Sequence, residues 1–138
     1  MKLQKLISKL EKHHKKKLDL SLGRTFNLLK KLGDPQDKLK NVITVVGTNA
    51  KASMCYSLKS ILNQSGYKTN LYTSPHLLSY TERYVFDDKE INEEDLIKLL
   101  TDVEKTLGDD NATLFEILTC AFLKYAENFK DNINIIEA

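Results

Sequence analysis

The stretch Asn41–Met54 reads NVITVVGTNAKASM, and the fold is decided here. Its first half, Val42–Val46, is short and rich in β-branched residues, which predicts a parallel strand covered on both faces. A loop that starts with glycine follows, and a helical pattern begins directly after it. This order can hold a phosphate group, because backbone N–H groups at the helix start face the anion. Lys51 would add positive charge, and the Ser53 hydroxyl could reach Mg²⁺ or phosphate.

Two positions of this loop, Ala50 and Ala52, hold alanine where a phosphate-binding loop usually has glycine. A left-handed backbone at Ala50 would cost on the order of 1 kcal/mol, and its methyl group would crowd the anion. An ordinary helical backbone would make alanine harmless. The sequence leaves both conformations open. We expect weakened but not abolished phosphate binding at Ala50, with Ala52 the more tolerable change; a tight turn without a ligand is the alternative.

The remaining chain supplies further elements of an α/β fold. A second strand is predicted over Lys68–Thr73, so that residues 42–73 form a strand–helix–strand unit, which is nearly always right-handed. Ser74-Pro75-His76 leaves the carboxyl end of that strand, where such sheets bind ligands. The sequence also predicts helices over 3–10, 21–32, 92–107 and from 113, and the second of these carries Leu22, Phe26, Leu29 and Leu32 on one face. A hairpin or extended arm is predicted over 80–86. A final buried strand is predicted over 133–136, and it leads to Glu137.

Composition limits the functions open to the chain. The 138 residues suit one domain, and no apolar run approaches the length of a membrane span. Residues 1–41 carry twelve basic and four acidic side chains, which we interpret as a solvated helix face rather than a nucleic-acid site, because no aromatic residues alternate with the lysines. His13 and His14 precede Lys15–Lys17, which predicts a solvated loop and not a metal site. Cys55 and Cys120 are interpreted as buried thiols of a cytoplasmic protein.

Several motifs together resemble one enzyme family. GTNAKAS, NLYTSPHLLSYTER, EINEEDL, TLFEILTCAFL and NIIEA occur here in the order found in the N-terminal part of the folylpolyglutamate synthase / dihydrofolate synthase family, which is related to the Mur ligases. The resemblance implies an α/β fold with a P-loop and a largely parallel, mixed-edge sheet flanked by helices. It also implies an N-terminal helical segment over 1–40 that packs on an incomplete ATP-binding domain over 41–138.

The resemblance also implies roles for individual residues. The loop Gly47–Ser53 would bind the ATP phosphates, with Lys51 the phosphate-contacting lysine. The residues implied are Gly47, Thr48, Asn49, Ala50, Lys51, Ala52 and Ser53 for phosphate; Ser53, Ser74 and Glu137 for Mg²⁺; and Ser74, Pro75, His76, Arg83, Thr113 and Phe115 for the pterin or folate.

The implied activity is an ATP-dependent amide ligation. ATP would phosphorylate a pteroate or folate carboxylate, and the amino group of L-glutamate would attack the acyl phosphate. A monomer that binds neither nucleic acid nor membrane is expected. We expect the chain to be the N-terminal part of a longer ligase, and to be inactive alone because half of the implied active-site cleft would be missing. We also expect it to be marginally stable or aggregation-prone alone, because its sheet would expose an edge. A non-catalytic binding module with a degenerate loop is the alternative.

Overall fold

Residues 2–14 and 22–138 are described by the computed structural model, as a mixture of helices and strands. In these ranges the helices are α1 (Leu3–His13), α2 (Gly23–Lys31), α3 (Pro35–Lys38), α4 (Lys51–Gln64), α5 (Glu93–Leu107) and α6 (Leu114–Ala126). The strands are β1 (Val42–Val45), β2 (Thr69–Tyr72), β3 (Tyr84–Phe86), β4 (Lys89–Glu90) and β5 (Ile133–Glu137). Lys15–Lys17 and Ser21, which belong to the predicted loop and second helix, lie outside the described residues. None of the described helices is long and apolar enough to cross a bilayer.

The chain divides into two compact units. The helical unit comprises Met1–Asp37 and Glu93–Tyr125, and the sheet unit comprises Lys38–Asn92 and Ala126–Ala138. The predicted boundary at residue 40 lies close to the first junction. The sequence did not indicate that residues 93–125 group with the N-terminal helices, because an amphipathic pattern shows which face of a helix is buried and not what covers it.

The sheet unit contains one five-stranded sheet in the order β1-β5-β2-β3-β4. β1, β5 and β2 are parallel, whereas β3 and β4 pair antiparallel at one side. This confirms the predicted α/β class and the mixed edge. The predicted hairpin is also confirmed: β3 and β4 are joined at Asp87 and Asp88, whose φ angles of 50° and 63° suit a tight hairpin turn.

The prediction that β1 is covered on both faces is wrong. β1 lies at the edge of the sheet, and its residues alternate between exposed and half-buried, with Val42 47% exposed. A continuous β-branched run has the same composition in an edge strand and a central strand, so the pattern could not separate the two. The marginal stability expected from an exposed edge stays a prediction.

Two features hold the sheet unit together. Cys55 of α4, Leu71 of β2 and Ile135 of β5 form a buried apolar cluster. Elsewhere in the sheet, buried amides bond to each other across neighbouring strands: Asn70 donates to Asn134 at 2.9 Å, and Asn132 donates to Asn70 at 2.9 Å. A hydrogen bond between two amides is electrostatically stronger in a buried position than at the surface. These bonds therefore help to hold the neighbouring strands in one register.

In the helical unit, α1 and α2 both pack on α5. α1 buries Leu3, Leu6, Ile7 and Leu10, as its predicted spacing requires. His13 is the exposed last residue of α1 and not part of a loop. The predicted apolar face of the second helix is partly wrong: Leu22 and Phe26 are exposed, whereas Leu28, Leu29 and Leu32 are buried. The short helix buries the side centred on Leu28 and Leu29, one residue away from the predicted stripe.

Candidate functional site

The carboxyl ends of three parallel strands meet at one end of the sheet. β1 and β5 pair so that Val45 lies opposite Glu137, and β5 and β2 pair so that Ile136 lies opposite Tyr72. The amide of Ala138 also donates to the carbonyl of Val45 at 2.9 Å. The loop after β1, the tip of β5 and the loop after β2 are therefore neighbours, as expected where parallel sheets bind ligands.

The loop after β1 is exposed and ends at the first turn of α4. Residues 46–50 are all exposed, and Lys51 begins the helix. Gly47 has a φ angle of 157°, a backbone conformation that residues with side chains rarely adopt. A Cβ atom added to Gly47 would lie 3.8 Å from Cγ of Lys51. The loop thus brings the lysine stem close to the glycine. Its exposed backbone and the helix N-terminus are suited to an anion.

Ala50 has a left-handed backbone. Its φ is 60° and its ψ is 15°, and as N-cap of α4 it offers no side-chain hydrogen bond to the helix. Ala52 lies inside α4 and is exposed. The two conformations that the sequence left open are therefore both present: Ala50 occupies the strained one, and Ala52 the ordinary helical one.

Glu137 is a buried carboxylate at this end of the sheet. It is 7% exposed, and its Oε2 accepts a hydrogen bond of 3.1 Å from the backbone N–H of Ser74. The two residues predicted to bind Mg²⁺ from β5 and from the loop after β2 are thus in direct contact. Burial and the nearby charge of Glu137 raise the pKa of the Cys55 thiol in α4.

The residues at this end fit a hard divalent cation. Glu137 offers a carboxylate, and Ser53 and Ser74 carry hydroxyl groups, which are oxygen ligands of the type that Mg²⁺ prefers. Among the described residues no three His, Cys, Asp or Glu side chains cluster as a metal site. Mg²⁺ is compatible with this, because it usually takes one or two carboxylates together with phosphate and water.

The loop after β2 holds His76 in a defined environment. Nε of Arg83 donates to Nδ1 of His76 at 2.9 Å, and the Arg83 guanidinium lies 4.9 Å from the centre of the Tyr80 ring. The His76 and Tyr80 rings lie 4.1 Å apart. Burial and the charge of Arg83 lower the pKa of His76. The peptide bond between Ser74 and Pro75 is cis. In this structure Arg83 contacts residues of its own loop.

Glu82 is a member of this loop that the sequence analysis missed. Its carboxylate accepts hydrogen bonds from the backbone N–H groups of Leu77, Leu78 and Ser79, at 2.9, 2.8 and 2.6 Å. These donors lower the pKa of Glu82. The signal was present in the sequence, because Ser79 and Glu82 have the spacing of a capping box.

Thr113 and Phe115 belong to the helical unit, and they flank the start of α6. The Thr113 N–H donates to Glu116 at 2.7 Å, and the Glu116 N–H donates to the Thr113 hydroxyl at 3.2 Å, so the two residues form a capping box at the start of α6. Arg24 of α2 donates twice to the Glu116 carboxylate, at 3.0 and 3.3 Å. Phe115 is left 55% exposed next to this ion pair. No sequence pattern indicates the ion pair between Arg24 and Glu116, because the two residues are 92 positions apart.

Comparison with curated proteins finds dihydrofolate and folylpolyglutamate synthases among the relatives of this chain. The dihydrofolate synthase/folylpolyglutamate synthase of Escherichia coli K12 is 36% identical over 131 residues, which are 95% of this chain and 31% of that protein. The chain belongs to this family. The dihydrofolate synthetase of Saccharomyces cerevisiae is 36% identical over 110 residues, or 78% of the chain. The chain spans about a third of the length of the E. coli relative. No family model matches it.

Solved structures of the family have the same fold. E. coli FolC in complex with DHPP and ADP matches 99% of this chain with a TM-score of 0.91 and 35% identity, over 33% of its own chain. The bifunctional folylpolyglutamate synthase/dihydrofolate synthase of Yersinia pestis complexed with AMPPNP and Mn ion matches equally, with a TM-score of 0.91 and 31% identity, over 33% of its chain. Another match has Mn, AMPPNP and L-glutamate bound. These three structures contain a nucleotide, and two of them also contain Mn.

Proposed function

We propose that this chain forms the ATP- and Mg²⁺-binding part of an ATP-dependent ligase that adds L-glutamate to dihydropteroate or a folate. One observation carries the proposal: the buried Glu137 carboxylate contacts the loop after β2, at the strand end next to the loop after β1. A carboxylate, serine hydroxyls and a lysine-bearing loop at one end of a parallel sheet are the parts that phosphoryl transfer from ATP requires. The relatives' names and bound nucleotides support the same activity.

In this proposal each residue has a physical task. The exposed N–H groups of Gly47–Ser53 and the N-terminus of α4 face the phosphates, and Lys51 neutralises part of their charge. Glu137, with Ser74 and Ser53, would hold Mg²⁺, which when bound neutralises charge on the transferring phosphoryl group. Neutralisation and alignment are the main contributions that a protein makes to this chemistry, because the loose transition state needs little covalent assistance.

The substrate side of the proposal rests on the loop after β2: Ser74, Pro75, His76 and Arg83 are proposed to lie near the pterin or folate. The substrate role that the resemblance implies for Thr113 and Phe115 of the helical unit stays a separate prediction. Phosphorylation of the substrate carboxylate would give an acyl phosphate, which the glutamate amine attacks with release of phosphate. A monomer in the cytoplasm without nucleic-acid partners stays a prediction.

One observation favours the alternative of a binding module with a degenerate loop. Ala50 carries a methyl group on a left-handed backbone at the helix start. That methyl group lies beside the N–H groups that would bind phosphate, so it should weaken ATP binding without abolishing it.

Nucleotide binding by the 138-residue chain tests the proposal directly. We expect MgATP to bind in isothermal titration calorimetry, and Lys51→Ala to weaken binding by about tenfold or more, because a charge-assisted contact is lost. The matched control is Lys68→Ala, which removes an exposed lysine at the opposite end of β2. Equal affinity in wild type and Lys51→Ala, or equal losses in both variants, would refute the assigned phosphate site.

A further inference from the structure

The loop between β2 and β3 is organised from within by two consecutive residues, Glu82 and Arg83. Glu82 gathers three successive backbone N–H groups, and Arg83 binds the side chain of His76. The Ser79 hydroxyl accepts from the N–H of Thr81 at 3.3 Å, which starts the helical turn carrying both residues.

The contact between Arg83 and His76 fixes the position of a proton. A guanidinium group has only donors, so Nδ1 of His76 must accept and therefore carries no hydrogen. A neutral imidazole with a bare Nδ1 has its hydrogen on Nε2. Arg83 is held in place by the face of the Tyr80 ring, and the same ring contacts His76. Among residues 2–14 and 22–138 we find no partner for Nε2 of His76.

The same loop exposes an apolar pair. Leu77 and Leu78 are 93% and 94% exposed, although their backbone N–H groups are bound by Glu82. Two leucines on a well-bonded loop are an unfavourable arrangement in water, because each would gain about 2 kcal/mol if buried. The loop thus offers a ligand apolar surface from these two leucines and one hydrogen-bond donor from His76.

We propose that Glu82 and Arg83 are positioning residues, which hold the loop after β2 so that His76 offers Nε2–H as a donor to the ligand. The proposal deepens the proposed function and rests on it for the nature of the ligand, a pterin-type heterocycle. Arg83 then acts through His76 and does not itself contact the ligand. Glu82 acts through the backbone of Leu77–Ser79.

The proton position can be measured in the ligand-free chain by ¹H–¹⁵N correlation spectra of the imidazole rings. We expect His76 to show a bare Nδ1 and a protonated Nε2. Arg83→Met should abolish this preference, and Arg83→Lys, which keeps a donor, should restore much of it. Lys89→Met is the matched control, since it removes an exposed cation of the same unit. A protonated Nδ1 in the wild type, or no change in Arg83→Met, would overturn the proposal.

Amide exchange tests Glu82. Glu82→Gln should speed the exchange of the Leu77, Leu78 and Ser79 amides by about tenfold, because each loses a charge-assisted hydrogen bond, while the exchange of core amides stays unchanged. Glu127→Gln, which removes an acidic side chain of the same unit without touching this loop, is the control. Unchanged exchange at all three amides in Glu82→Gln would overturn the role of Glu82.

Addition of dihydropteroate to the same samples tests the role toward the ligand. We expect the Nε2–H resonance of His76 to shift in the wild type, and the affinity to fall in Arg83→Met and rise again in Arg83→Lys. No response of His76 to dihydropteroate would overturn this role. MgATP binding is measured in parallel, so that failure of the positioning role can be told apart from failure of the nucleotide site.

Discussion

Replacement of Ala50 by glycine should stabilise the protein. Ala50 has φ 60° and ψ 15°, and it is the N-cap of α4 without making a capping hydrogen bond. An L-residue in this conformation costs about 1–2 kcal/mol, because its Cβ approaches the following carbonyl oxygen. Glycine removes that cost, and it is also a better N-cap than alanine.

The net gain is smaller than the strain. Glycine loses about 0.4–1 kcal/mol more backbone entropy on folding than alanine. We therefore expect Ala50→Gly to raise the free energy of unfolding by about 1 kcal/mol, which corresponds to an increase of about 3 °C in Tm for a chain of this size. The same change should tighten MgATP binding, because it removes the methyl group beside the phosphate-facing N–H groups.

Ala52→Gly is the matched control for this prediction. Ala52 is exposed in the first turn of α4, where glycine should cost up to about 1 kcal/mol through its low helix propensity. Urea unfolding of the two variants should thus show changes of opposite sign. If both variants are destabilised, or if Ala50→Gly leaves both stability and MgATP affinity unchanged, the left-handed conformation of Ala50 is not the strain that we describe.

Three further predictions concern buried thiols and buried polar side chains. Burial and the charge of Glu116 raise the pKa of Cys120 to about 12, and burial also raises that of Cys55, so both thiols should resist iodoacetamide at pH 8 until urea is added; rapid alkylation of the folded chain would contradict this. Burial alone would raise the pKa of Glu116, but the hydrogen bonds from Arg24 and Thr113 lower it below the usual value. The stabilisation by ionised Glu116 is therefore complete above about pH 4.3 and is lost as the pH falls through the lower folded-state pKa. In urea titrations at decreasing pH, the difference in unfolding free energy between wild type and Glu116→Gln should therefore narrow. A constant difference would argue against the ion pair. Asn134→Ala should cost about 2–3 kcal/mol in urea unfolding at pH 7, because it leaves the buried amide of its partner on β2 without an acceptor; a loss below about 0.5 kcal/mol would show that the amide network is not stabilising.

The position of the candidate site at the strand ends could largely be predicted from the sequence, because its residues lie at the ends of predictable elements. The β-branched run and the glycine after it locate the loop after β1, and the final apolar run locates Glu137 at a strand tip. Parallel strands place their carboxyl ends at the same edge of a sheet, so the loops after β1 and β2 were expected at that edge; the position of β5 between the two strands is known only from the structure. The contact between Ser74 and Glu137 agrees with that reasoning.

Features that depend on distant partners or on local dihedral angles were not predictable. The left-handed backbone of Ala50 is not encoded by alanine, which normally avoids it. The edge position of β1 depends on strand order, and the pairing of Arg24 with Glu116 depends on the packing of two helices far apart in sequence. The three hydrogen bonds that Glu82 accepts are different, because the spacing of Ser79 and Glu82 is that of a capping box, although the segment was predicted as a hairpin or extended arm.

The central claim is that the carboxyl end of the sheet binds a metal-nucleotide complex between Glu137 and the loops after β1 and β2. Mn²⁺ can replace Mg²⁺ as a paramagnetic probe, and NMR of the 138-residue chain with ATP and Mn²⁺ tests the claim most directly. We predict that amide signals broaden most at Ser53, Ser74 and Glu137, and that Glu137→Gln removes the effect. Broadening centred on the turn at Asp87 and Asp88, at the other end of β2, would contradict it.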